Sequence, residues 1–263
     1  MPRANRYYVP GYTWHITHRC HKKEFLLKFD RDRARYLWWL FEAKKRFHLC
    51  ILNYVVTSNH VHILVVDTGD NAIPKSMQLI AGRTGQEYNA RKDRKGTYWE
   101  DRYHATAVQT NEHLVRCMLY IDFNMVRAGV VGHPSFWPYG GYQEIVAPPK
   151  RYARVDHGML IDLLGMHGLD ELSAWYRACV DEELRRAGHR RAPGWTESLA
   201  VGDKGYVDEV KQNLLSRAVV RKTHEREEGV FELREPVVSY NPVFDPQNSL
   251  LSLKNSVKWG VNQ

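Results

Sequence analysis

Two histidines flank a single valine at the head of an apolar, β-branched run, "TSNHVHILVV" at residues 57–66. Side chains on a strand alternate between faces, so His60 and His62 share one face while Val61 turns to the other. Two imidazoles side by side can offer two nitrogens to one divalent cation. In "YIDFN", Tyr120 and Asn124 stand one helical turn apart and share a helix face. An amide oxygen suits a hard ion such as Mg²⁺ or Mn²⁺, and a phenol one turn away could reach a phosphate that the ion holds. Both features have plainer readings. With 13 histidines in the chain an H-x-H arises readily by chance. Tyr120 with Leu119 and Phe123 also reads as a packing stripe, and on spacing alone packing is the favoured account.

The elements that would carry these residues follow from periodicity. "YTWHITHRC" (12–20) alternates in β fashion, "CILNYVVT" (50–57) and "HVHILVVD" (60–67) are strands, and "HATAVQT" (104–110) is a fourth. The turn-prone Ser58-Asn59 makes a hairpin of the middle two. Helical spacing marks 31–49, with Asp30 as its N-cap, 71–96, starting near Pro74, and 111–129, capped by Asn111 and stopped by Gly129. The order β-α-β-β-α-β-α predicts an antiparallel sheet with helices packed on it, an α+β domain over 1–147. "APPKRYARVDHG" (147–158) reads as a linker. Helices over 156–186 and 203–222 make 148–233 a helical extension, a possible DNA-binding module, and 234–263 an irregular tail.

Composition narrows the class. Thirty-eight Lys and Arg against 30 Asp and Glu leave a net charge of +8, which favours polyanionic partners, chiefly nucleic acid. Cys20, Cys50, Cys117 and Cys179 are scattered with no CxxC pair, against both a zinc finger and a disulfide scaffold. Neither a signal peptide nor an apolar run long enough to span a membrane is evident, so a cytoplasmic, reduced setting is expected.

Four segments in order, "NHVHILV", "YWEDRYHATAV", "YIDFNMVRAGVV" and "SFWPYGGY", resemble motifs of the single-tyrosine HUH transposases, closest to the REP-associated tyrosine transposase branch. The resemblance covers about residues 5–145, with a fainter echo at 201–215. It implies a ferredoxin-like catalytic domain, Tyr120 as nucleophile, His60, His62 and Asn124 as metal ligands, and Mg²⁺ or Mn²⁺ as the ion. It further implies a transposase or single-strand endonuclease that cleaves and rejoins hairpin (REP-like) single-stranded DNA through a 5′-phosphotyrosine. Two departures stand out. Thr57-Ser58 occupies the place of a common Met-Pro, and Met125 that of a proline, which leaves the orientation of Asn124 less constrained. Whether the protein is a monomer or a homodimer, and whether the tyrosine serves its own subunit, stays open. A non-cleaving, domesticated DNA hairpin-binding protein is the principal alternative. A small-substrate metal phosphodiesterase and a structural or RNA-binding module are more distant ones.

For gripping DNA, "GRTGQEYNARKDRKG" and "YWEDRYH" place Arg83, Tyr88, Arg91, Lys92, Arg94 and Arg102 close in sequence to the proposed site. Cations neutralise phosphates and aromatic faces stack on unpaired bases, although each residue singly could be ordinary surface or core. "PRANRYY" at the N-terminus is a further candidate arm. His15, His18 and His21, on or just after the first strand, are alternative metal ligands, His15 on a strand that could neighbour the pair; a structural role is the favoured reading for all three, and for His104.

Overall fold

In the computed structural model the described residues are 8–186, 192–214 and 221–234. The arm at 1–7 and the tail from 235 onward lie outside them. Four strand-forming runs fold as Thr13–Arg19 (β1), Cys50–Val56 (β2), His60–Val66 (β3) and His104–Val108 (β4). Helices Asp30–Phe47 (α1) and Ala72–Arg91 (α2) fill the connections. β1 lies antiparallel between β3 and β4, and β3 pairs antiparallel with β2. The order β2-β3-β1-β4 with helical crossovers is the ferredoxin-like α+β arrangement. At the β2–β3 turn, the Thr57 hydroxyl donates to the His60 carbonyl at 2.8 Å, a bond that a Met-Pro pair could not supply.

The sheet has two unlike faces. Trp14, Ile16, Val61, Ile63 and Val65 form an apolar face. His18 shares it and stacks on Trp99 at 3.9 Å between ring centroids; Trp99 in turn meets Tyr36 of α1 and donates its indole N–H to the Ala81 carbonyl of α2. The α1–α2 layer therefore covers this side. The opposite face carries His15, Thr17, His60, His62, His104 and Thr106, because Thr17 is the cross-strand neighbour of both His62 and His104, and His15 that of Thr106. A polar face can be buried only if its groups find partners. Helices Glu112–Asp122 (α3) and Asn124–Arg127 (α4), followed by short Tyr142–Val146 (α5), cover part of it, with Asn124 meeting His62, while His15, His104 and Thr106 bond to the carbonyls of Trp195 and Ser198.

Asn111 caps α3 as expected, its side chain accepting from the His113 N–H. The chain leaves the helix at Gly129, whose φ of 68° is easy only for glycine. Phe29, not Asp30, is the N-cap of α1; Asp30 pairs instead with Arg33 one turn on. The expected single helix over 111–129 is interrupted at Phe123, with Asn124 beginning α4.

The extension differs from the helical expectation. His157–Leu164 (α6), Leu169–Arg185 (α7), Gly194–Glu197 (α8) and Lys204–Asn213 (α9) are helices, but Ala200–Gly202 (β5), Lys222–Glu227 (β6) and Val230–Arg234 (β7) continue the same sheet. β5 joins β4 in parallel, and the seven strands run β2-β3-β1-β4-β5-β7-β6. These strands escape a periodicity reading for physical reasons. β5 is only three residues long, and β6, "KTHERE", is an exposed edge strand whose charges deter further pairing. The 147–158 stretch is anchored as well: Arg154 pairs with Glu144 and donates to the Tyr54 hydroxyl at 3.2 Å, and Val155 bridges to Ile51 of β2. Among the described residues no helix is long and apolar enough to cross a membrane, and all four cysteines are free.

α3 is tied to the sheet by one buried carboxyl. Asp122 accepts from Asn53 Nδ2 of β2 at 3.1 Å and from the Tyr176 hydroxyl of α7 at 2.5 Å. Burial outweighs these bonds and raises its pKa from 3.8 to about 7. Between these values the folded state binds more protons than the unfolded chain, so this group makes stability fall as pH rises from about 4 to about 7. Asp122→Asn is expected to flatten that decline relative to wild type, measured as the urea midpoint across pH 4–8.

Candidate active site

Because His60 and His62 sit on the polar face at the start of β3, α3 and α4 cross directly over them. One open cleft of about 420 Å³ is lined by His60, His62, Tyr120 and Asn124 of the same chain, together with Thr17, Arg19, Lys23, Asn59, Arg127 and Thr196. The structure thus brings together all four residues marked by spacing. The two imidazole rings are 5.0 Å apart and nearly perpendicular, and the Tyr120 ring is 5.8 Å from that of His62, edge to face. Asn124 Nδ2 lies 3.1 Å from His62 Nε2. Met125, where proline was the expected residue, is buried in the core and leaves Asn124 directed at the cleft.

His60 is half-buried and held at Nδ1 by Asn59 Oδ1 at 2.7 Å. His62 is buried, and its Nδ1 meets His15 Nε2 at 2.9 Å. His15 Nδ1 meets the Trp195 carbonyl of α8 at 2.8 Å. Burial depresses both pKa values, that of His15 to about 3 and that of His62 well below its usual range, with repulsion from the neighbouring His60, His15, Arg127 and Arg19 side chains adding to the effect on His62. Both rings are neutral at physiological pH, the form in which imidazole binds metals.

Arg127 is a site residue that the sequence reading passed over. Its Nη2 donates to the Tyr120 carbonyl at 2.6 Å, at the point where the helix is broken, and its guanidinium carbon lies 4.3 Å from the Tyr120 ring centroid. A cation over the ring favours phenolate over phenol. Its position three residues beyond Asn124, on the same helix face, was the available signal. Arg19, Lys23, Trp195 and Thr196 were also missed; the last two, from the extension, carry no local signature.

The six residues expected to grip DNA are placed differently. Arg83, Tyr88, Arg91, Lys92 and Arg94 belong to α2 and its end, on the far side of the sheet from Tyr120. Arg91 pairs with Asp32, Arg94 with Glu24 at 3.6 Å, and Arg83 and Lys92 lie over Trp39 and Phe29. Tyr88 packs on Tyr98. Arg102 is exposed just before β4, at the end of the sheet that also carries His60. His18 and His104 are structural as expected, bonded to the Asp101 and Ser198 carbonyls.

Residues 8–124 match the family model described as "Transposase IS200 like". That match takes in β1 to β4 and the helices between them, together with His60, His62, Tyr120 and Asn124. No curated protein matches the chain. Among solved structures, a REP-associated tyrosine transposase bound to a REP hairpin is 21% identical, with a TM-score of 0.47 over 65% of this chain and 90% of its own. A Deinococcus radiodurans protein described as a transposase is 17% identical, with a TM-score of 0.32 over 48% and 89%.

As for a metal, among the described residues no cluster of three or more His, Cys, Asp or Glu could hold one. The cleft offers a set different in kind: two imidazole nitrogens, from His60 and His62, and the side-chain amide of Asn124. With Nδ1 of each imidazole hydrogen-bonded within the protein, Nε2 of each is the nitrogen left for an ion, and two such nitrogens with an amide oxygen fit a divalent ion that accepts mixed nitrogen and oxygen donors, as Mn²⁺ does.

The cleft cations give a salt test. Replacing Arg19 and Lys23 together by Ala is expected to shallow the dependence of log K on log[salt] for a single-stranded oligonucleotide by about 1.4, two charges at ~0.7 each. Arg83→Ala with Lys92→Ala is expected to change it less, as read by fluorescence anisotropy at several salt concentrations.

Proposed function

We propose that this protein is a transposase that cleaves and rejoins single-stranded hairpin DNA, of the REP type, through a 5′-phosphotyrosine on Tyr120. The observation that carries the reading is the meeting of Tyr120, His60, His62 and Asn124 in one cleft of one chain. The site needs no residue from a second copy, which favours a tyrosine acting in its own subunit. His60, His62 and Asn124 would hold Mg²⁺ or Mn²⁺; when bound, the ion supplies positive charge beside the scissile phosphate.

Tyr120 Oη attacks phosphorus, giving up its proton, and a P–Oη bond forms as the P–O3′ bond breaks. The departing oxygen takes up a proton and leaves as a free 3′-OH. The phosphodiester's energy is kept in the tyrosyl ester, so attack by another 3′-OH reverses the step and joins strands without ATP. A phenol with a solution pKa of about 10 must be assisted at neutral pH. Arg127 over its ring favours the phenolate, and with Arg19 and Lys23 it offsets the charge that builds on phosphate oxygens. An open cleft suits an unpaired strand, and a single tyrosine handles one strand at a time. Arg102, at the same end of the sheet, is placed to meet DNA leaving the cleft, and α2 is a second contact surface for the hairpin body.

Incubation with a labelled hairpin oligonucleotide and Mn²⁺ is expected to yield a denaturant-resistant protein–DNA adduct, seen as a shifted band on a denaturing gel. Tyr120→Phe abolishes it, and chelation with EDTA reduces it at least a hundredfold on the general scale of metal-assisted phosphoryl transfer. Wild-type protein that binds the hairpin and never forms the adduct would instead identify a domesticated binder.

A further inference from the structure

His15 stands outside the transposase chemistry described above, yet it is fully buried directly behind His62. The two rings stack 5.0 Å apart at 16°. Their polar contacts form a single line: Asn124 Nδ2 to His62 Nε2 at 3.1 Å, His62 Nδ1 to His15 Nε2 at 2.9 Å, and His15 Nδ1 to the Trp195 carbonyl at 2.8 Å. Thr17 Oγ1, at 3.4 Å from His62 Nδ1, is the other polar neighbour. None of these partners is a carboxylate.

The direction of every bond in that line follows from its far end. A carbonyl oxygen only accepts, so the proton of the last bond sits on His15 Nδ1. The same oxygen also accepts from the Thr106 hydroxyl at 3.2 Å. A neutral ring has one N–H, so His15 Nε2 is then a lone pair. The proton between the two rings must belong to His62 Nδ1. His62 has no second proton, and its Nε2 faces the cleft as a lone pair. The near end agrees, for the Asn124 N–H points at that nitrogen as a donor. The opposite direction would need a doubly protonated imidazolium at His15, buried without any anionic partner, which is costly.

We propose that His15 is a positioning residue: it fixes His62 as the Nδ1–H tautomer, so that Nε2 is presented to a divalent cation, and the reference point of this relay is the Trp195 backbone of the extension. The inference rests on the metal-binding reading of His60, His62 and Asn124, and it adds the residue that selects which nitrogen binds. Ligating histidines are usually oriented by a carboxylate or a backbone carbonyl. Here the carbonyl acts one ring removed. It follows that α8 belongs to the active centre even though Trp195 lies beyond the segment that matches the transposase family.

The test begins with metal-free wild-type protein labelled with ¹⁵N-histidine. Long-range ¹H–¹⁵N correlation spectra, with His62 assigned by its loss in His62→Gln, are expected to show Nδ1 protonated and Nε2 bare. An Nε2–H tautomer at His62 overturns the proposal without any variant. His15→Phe, which keeps the ring and removes the acceptor, is expected to weaken Mn²⁺ binding about tenfold or more, followed by EPR without DNA. His15→Gln, whose amide can accept from His62 and donate to Trp195, is expected to restore most of that affinity. A folded His15→Phe protein with unchanged affinity and tautomer also overturns it. If His62 has the expected tautomer but wild type binds no Mn²⁺, the relay stands and the metal reading falls; the adduct assay judges the tyrosine separately.

Discussion

Both faces of the central sheet are buried, and only one of them is apolar. That constraint organises the rest of the molecule. β1 and β3 send Trp14, Ile16, Val61, Ile63 and Val65 to one side, where α1 and α2 cover them with ordinary hydrocarbon packing. The same alternation obliges His15, Thr17, His60, His62, His104 and Thr106 to share the other side. Such a surface cannot be closed by an apolar helix without stranding donors and acceptors. It is closed instead by elements that bring carbonyls, an amide and a phenol: the Trp195 and Ser198 carbonyls, Asn124, and Tyr120. The chemistry of the site is thus the hydrogen-bonding requirement of a buried polar sheet face.

Holding that cover in register is costly, and the molecule does it with buried polar ties. Asp122 links the end of α3 to β2 and α7, and Arg127 takes up the Tyr120 carbonyl where the helix changes course. The break between α3 and α4 is therefore a supported feature. It lets Tyr120 and Asn124 present side chains to one cleft while Phe123 and Met125 remain in the core. The extension contributes to the same closure, extending the sheet through β5 and seating α8 against His15, so its removal would open the polar face and loosen the histidine pair together.

Much of this was legible in the chain. Alternation at 60–66 put both histidines on one face, helical spacing put Tyr120 near Asn124, and Asn111 and Gly129 bounded the helical segment, whose break at Phe123 no spacing announced. The β-α-β-β-α-β-α order was readable because each element is long enough, or periodic enough, to carry its own signal. The extension's strands were not, since a three-residue β5 and an all-polar edge β6 leave no alternation to detect. The DNA-facing cations were assigned by nearness in sequence, which says nothing about which side of a sheet a helix will cover.

By itself, then, the sequence determined the local facts: which residues share a face, where helices begin and stop, and which chemistry-bearing side chains stand at a fixed spacing. Tertiary structure alone decided that His15 would back His62, that Arg127 would lie over Tyr120, and that a carbonyl from residue 195 would complete the line. The reason is one of range. Periodicity is set by backbone geometry within a few residues, whereas the partner of a buried polar group is chosen by whichever distant segment packs there, and no spacing records that choice.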